Sequence, residues 1–104
     1  MYRMSVMYPV KDGAHFDFEY YRQTHMPMAL EKLKPFGMIR FEIDKGISAL
    51  GGQHGPYACV GQLYFESLEA YEKGIEEAGP VLREDIPNYT NITPIRQFAE
   101  ILEE

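Results

Sequence analysis

His25 is the residue in this chain best placed to do chemistry. It stands in the run Tyr20-Tyr21-Arg22-Gln23-Thr24-His25-Met26-Pro27. An imidazole, whose reference pKa is near 6.5, can take a proton at neutral pH or, when charged, hold an oxyanion. Tyr21 lies one helical turn before it and is placed to orient the ring or bind a substrate. His54 sits in a glycine-rich loop able to fold over a pocket as a lid. Tyr8, Gln62 and Tyr64 offer hydroxyls and an amide, and Arg40 and Glu42 occupy the polar face of a strand. Each also has a structural reading: a hydrogen-bonded core histidine for His25, core packing for the tyrosines, and a solvated face for Arg40 and Glu42. Cys59 reads as a small buried apolar residue without redox work, and His15 as a surface residue beside a helix cap.

The element that carries His25 starts at Asp17, a good N-cap, with Phe16 and Tyr21 at the two positions of a hydrophobic staple. Phe18, Tyr21, His25 and Met28 recur on one face of a 3.6-residue period, which turns the histidine inward with the aromatics. Pro27 has no N–H for the carbonyl of Gln23, so the spacing predicts a kink within a residue or two of His25. Pro35 and Gly37 stop this helix near Lys34.

The other elements follow in order. Residues 3–9 read as a strand with Met4, Val6 and Tyr8 on one face and Ser5 and Met7 on the other. Residues 38–46 alternate, Ile39, Phe41 and Ile43 against Met38, Arg40, Glu42 and Asp44. Gly46 to Pro56 is a connection of about ten residues, longer than the roughly two to five of a usual hairpin. Its Gly51-Gly52 pair and His54 lead us to expect a mobile gate. Residues 57–66 form a third strand with two faces able to be buried. Ser67 caps a second helix with Leu68, Tyr71, Ile75 and Ala78 inward, expected to end at Gly79-Pro80. Residues 80–91 connect it, with a helical turn near Val81 to Asp85, to a last strand from Ile92 to Leu102. Pro94 places that strand at a sheet edge.

This β-α-β-β-α-β order is the ferredoxin-like split βαβ of the α+β class, a four-stranded antiparallel sheet with two helices on one face. The 104 residues make one domain. Strands apolar on both sides predict that the helix-free face is covered by a second copy, giving a homodimer. A single cysteine and three scattered histidines provide no zinc-like cluster, so no metal is expected. Neither a charged leader followed by an apolar run nor a stretch of about 20 apolar residues is present, which predicts a cytoplasmic protein without a membrane span. The net charge of −6, weighted toward the C-terminal part, argues against nucleic acid or anionic membrane as a partner.

Tyr20 to Pro27 with the preceding Phe16-Asp17, together with Gly61-Gln62-Leu63-Tyr64-Phe65-Glu66-Ser67-Leu68-Glu69-Ala70, resembles the EthD family of the dimeric α+β barrel superfamily. The resemblance spans nearly the whole chain. It implies a homodimer with a cofactor-free pocket for a small molecule and an oxidoreductase role in ether degradation. Relatives implied with it include quinone-forming monooxygenases and a methylmuconolactone isomerase whose essential helix histidine falls on His25. The heme-ligand histidine of peroxidase relatives has no matching context here. Two functional expectations stand side by side: a cofactor-free enzyme using His25 as acid or base on an aromatic, quinone or lactone compound, and a non-catalytic ligand-binding or accessory dimer.

Overall fold

The computed structural model describes residues 1–49, 51 and 54–104. Strand β1 (Tyr2–Pro9) leads into a continuous helical segment made of α1 (Phe18–Tyr20), a π-helical turn (Tyr21–His25), α2 (Met26–Leu33) and a 3-10 turn (Lys34–Phe36). Strands β2 (Met38–Lys45) and β3 (Tyr57–Phe65), helix α3 (Leu68–Glu84), a 3-10 turn (Ile86–Asn88) and strand β4 (Ile95–Glu100) complete the chain. The sheet order is β2-β3-β1-β4, and every pair is antiparallel. This is the ferredoxin-like α+β arrangement, with both helices on one face. The core between sheet and helices includes Tyr8, Tyr21, Met26, Leu33, Cys59, Phe65 and Tyr89, all nearly inaccessible to solvent.

Asp17 caps the first helix as its residue type predicts, its carboxylate accepting from the Tyr20 N–H at 3.0 Å. Phe16 and Tyr21 meet edge to face with ring centroids 5.0 Å apart, closing the staple. The irregularity expected from Pro27 takes the form of the π turn. There the Met26 N–H bonds to the Tyr21 carbonyl, five residues back. The widened turn receives a proline that a tight turn would exclude. It also rotates the buried stripe: beyond His25 the inward residues are Met26, Ala29 and Leu33, while Met28, expected inward, is half-buried. Gly37 ends the segment with φ +90°, a conformation few other residues adopt.

Three further expectations change. In β2, Met38 pairs with Phe65 and Arg40 with Tyr64, which leaves Ile39 as the extra residue of a bulge. Met38 therefore turns to the core with Phe41 and Ile43, and Ile39 is exposed. Helix α3 runs through Gly79-Pro80 to Glu84, because burial of Ala78, Gly79 and Leu82 outweighs the hydrogen bond the proline forfeits. Leu68 lies on its exposed side, and the buried Gly74 packs against Leu33 and Phe36 instead. Strand β4 is shorter than Ile92 to Leu102, with Ile92 buried before the strand begins. It is an edge strand, as Pro94 predicts.

Candidate functional site

The start of the first helix is tied to the segment that follows α3. The Asp17 N–H donates to the Tyr89 carbonyl at 2.8 Å. The Thr90 hydroxyl donates to the His15 carbonyl at 2.6 Å, and the His15 N–H donates to Asn91 Oδ1 at 3.0 Å. These bonds carry Asp85 and Tyr89 to the π turn, and the site forms where they meet it.

His25 Nδ1 lies 2.8 Å from Asp85 Oδ2. The other carboxylate oxygen accepts from the Tyr20 hydroxyl at 2.8 Å and from Asn88 Nδ2 at 2.9 Å. Burial raises the Asp85 pKa, but the bonds from Asn88, His25 and Tyr20 outweigh it, so this carboxyl stays below the usual carboxylate range. Burial, opposed by Asp85, holds His25 below the ordinary histidine value. The imidazole is therefore neutral at pH 7. A carboxylate facing Nδ1 puts the proton there and leaves the lone pair on Nε2.

On the Nε2 side stands the Tyr89 hydroxyl at 3.5 Å, itself sharing a 2.7 Å hydrogen bond with the Tyr8 hydroxyl. Tyr21 stacks on the imidazole at 5.5 Å with the two planes 11° apart. Its ring end passes over Gly61, where any side chain would run into the hydroxyl. Burial pushes the pKa values of Tyr8, Tyr21 and Tyr89 above the ordinary phenol, so all three remain neutral donors. Burial likewise pushes the Cys59 thiol up to about 12, which removes it as a nucleophile.

These groups line a cavity of about 80 Å³ between sheet and helices. Its floor is Met4, Val6 and Leu63, and Arg83 and Arg96 stand among its lining residues. The volume is several times what one water requires. The arrangement can move a proton at His25 Nε2 and hydrogen-bond an oxygen of a bound molecule through a tyrosine hydroxyl.

Of the residues singled out in the sequence, His25, Tyr21 and Tyr8 come together here. Arg40, Gln62 and Tyr64 do not. They lie on the helix-free face, because alternation along β2 and β3 sends them away from the helices. There Arg40 pairs with Glu42 and covers the Tyr64 ring at 3.9 Å. The Tyr64 hydroxyl donates to Glu42 at 2.8 Å, and Gln62 donates to Asp44 at 2.8 Å. The Glu42 carboxyl sits below its usual range, held first by Tyr64 and then by Arg40. His54 is exposed and borders a separate depression with Val10, Phe18 and Lys45, so it is not part of the His25 cavity. The expected gate spans Leu50, Gly52 and Gln53, which lie outside the described residues.

Asp85, Tyr89 and Tyr20 were not singled out from the sequence. Asp85 and Tyr89 stand in a connection without periodicity, 60 and 64 residues from His25. Tyr20 carried a local signal, the tyrosine pair, without a partner to give it meaning. Among the described residues no group of acidic, histidine or cysteine side chains is arranged to hold a metal ion, and no helix is long and apolar enough to cross a membrane.

No family model matches the sequence, and neither does any curated protein. Solved structures do match. An EthD-like protein from Ralstonia eutropha JMP134 is 30% identical and superposes with a TM-score of 0.91, over 99% of this chain and 93% of that one. An ethyl tert-butyl ether D (EthD) family protein from Bacillus halodurans C-125 is 14% identical with a TM-score of 0.64, over 97% of this chain and 99% of that one. A dimeric ferredoxin-like protein from an uncultured marine organism is 13% identical with a TM-score of 0.64, over 100% of this chain and 97% of that one. The last two share the fold; the first adds sequence identity along nearly the whole length, and with it this chain belongs to the EthD-like proteins.

Proposed function

We propose that this protein is a cofactor-independent enzyme that uses His25 as acid and base on a small oxygenated organic compound, an aromatic, quinone or lactone. The observation that carries the reading is the chain from Asp85 through His25 to Tyr89 and Tyr8, ending in an apolar cavity. Asp85 holds the tautomer and stabilises the imidazolium that forms when Nε2 takes a proton. The neutral tyrosines donate to the oxygen on which negative charge develops. The catalytic residue is His25, with Tyr8 and Tyr21 as cavity residues that contact substrate. The reaction class is isomerisation, dehydration or oxygen insertion.

We also propose that the whole chain acts as one domain in a homodimer joined through the helix-free sheet face. Met7, Val60 and Ile95 stand side by side on that face with Ile95 exposed, an apolar strip that a second copy can cover. Action in the cytoplasm on a small molecule, apart from nucleic acid and membrane, fits the net charge of −6.

The test is a turnover screen of phenols, quinones and lactones with the wild-type protein and His25→Ala. Turnover lost in a variant that still folds supports the enzyme. Binding without turnover in either form supports the ligand-binding or accessory dimer instead.

A further inference from the structure

Resting on the reading of this cavity as the substrate site, we infer that its ligand is an organic anion whose acid group is held at the cavity mouth between Arg83 and Arg96, its apolar body lying over Met4, Val6 and Leu63. The two arginines arrive from different elements, the last turn of α3 and the edge strand β4. Both line the cavity, and both reach solvent. Among the described residues, neither is within ion-pair distance of a carboxylate; the pairs present are His25 with Asp85 and Arg40 with Glu42. Among the described residues, no aspartate or glutamate lines the cavity. In a chain with net charge −6, two unmatched cations at one apolar opening are a local reversal of sign, and low-dielectric walls focus such a field on an entering ligand.

The fold places these cations inward by specific means. Arg96 pairs with Val6 across β1 and β4, so it projects from the helix-bearing face, beside the cavity floor. Its charge is felt by both Tyr8 and Tyr71. Arg83 folds back along its helix over Gly79, where an added Cβ would stand 2.8 Å from the guanidinium Nη1. The glycine thus leaves the space that the guanidinium occupies at the mouth. Of the two carboxylates that follow Arg83 in sequence, Glu84 is exposed and is not paired with it, and Asp85 is already taken by His25, Tyr20 and Asn88, so neither competes. A carboxylate is the acid group that a guanidinium pair holds best, through parallel N–H donors.

The experiment is calorimetric titration at pH 7.5 with benzoate, 2-furoate and crotonate, each beside its neutral amide, which has nearly the same shape. The acids are expected to bind about tenfold more tightly than the amides, the scale of one charge-assisted hydrogen bond. Arg83→Gln and Arg96→Gln should each reduce that preference without changing the affinity for the amides. Arg96→Lys should keep part of it, and Gly79→Ala should weaken it by displacing Arg83. Equal affinity for acids and amides, an unchanged preference in both glutamine variants, or no binding by any of the six compounds overturns the inference. If the glutamine variants fail to fold, the acid-to-amide ratio of the wild type decides. His25→Gln separates this inference from the acid–base reading. It should abolish turnover while leaving the acid preference intact, so activity retained in that variant sinks the acid–base mechanism alone.

Discussion

His25 Nδ1 and Asp85 Oδ2 stand 2.8 Å apart, although 60 residues separate them. The bond joins the π turn of the first helix to the end of α3, and its consequences can be measured. Asp85→Asn removes the charge that opposes burial at His25, so the imidazole should titrate at lower pH than in the wild type. Histidine ring resonances followed by NMR across pH 4 to about 8 read that shift. Turnover should fall about 10²-fold or more, since an amide no longer stabilises the imidazolium. A His25 titration that rises on removing the carboxylate would contradict the assignment.

His25→Ala should lose activity by about 10²- to 10⁴-fold, the usual contribution of a positioned acid–base group. The fold should survive, because the Asp85 carboxylate keeps its Tyr20 and Asn88 donors when the imidazole is gone. Circular dichroism and thermal denaturation check the second half. An unfolded variant would make His25 a structural residue and remove it from the site.

Stability should decline on the acid side for two reasons of the same sign. His25 is held below 6.5 in the folded protein, so the unfolded chain takes up its proton first as pH falls through 6.5. That loss levels off once pH is below the folded value. Asp85 is held below 3.8, so its contribution is present above that value and disappears as pH falls through the folded one. Urea midpoints measured from pH 8 to about 3 should fall in these two windows. In His25→Gln the upper window should flatten while the lower one remains.

Gly61→Ala should destabilise the protein by about 1–3 kcal/mol, the range for overpacking a well-filled core. The added methyl runs into the Tyr21 hydroxyl, on a ring that is almost fully buried and stacked on His25. Chemical denaturation gives the loss. Tyr21→Phe in the same background should recover part of it, because the hydroxyl is the atom in the way.

Sedimentation at micromolar concentration should give a particle of twice the 12.0 kDa chain mass. Tyr64→Glu, on the helix-free face, should shift it toward the monomer by placing a second carboxylate beside Glu42. A wild-type monomer would remove the dimer from the account.

Local signals in the sequence determined the order of elements and most of their beginnings. Asp17, Ser67, Pro35 and Gly37 act through bonds and dihedral limits within a few residues, and a chain reader sees those directly. Alternation in β1 and the staple of Phe16 on Tyr21 are equally local, and with the helical period they placed Tyr8, Tyr21 and His25 on inward faces. What crosses the chain was decided only by the tertiary structure. The bulge at Ile39 reverses Met38 because register depends on the partner strand. Helix α3 continues past Pro80 because burial of Leu82, a non-local gain, exceeds the local penalty. Arg40, Gln62 and Tyr64 share a polar network away from His25, since a strand's alternation tells which residues share a face and not which face meets the helices. Asp85 and Tyr89 became site residues through the bonds of Asp17, His15 and Thr90, which join segments more than 70 residues apart. No window along the chain contains both ends of such a contact, and that is why the partner of His25 had to be seen in the fold.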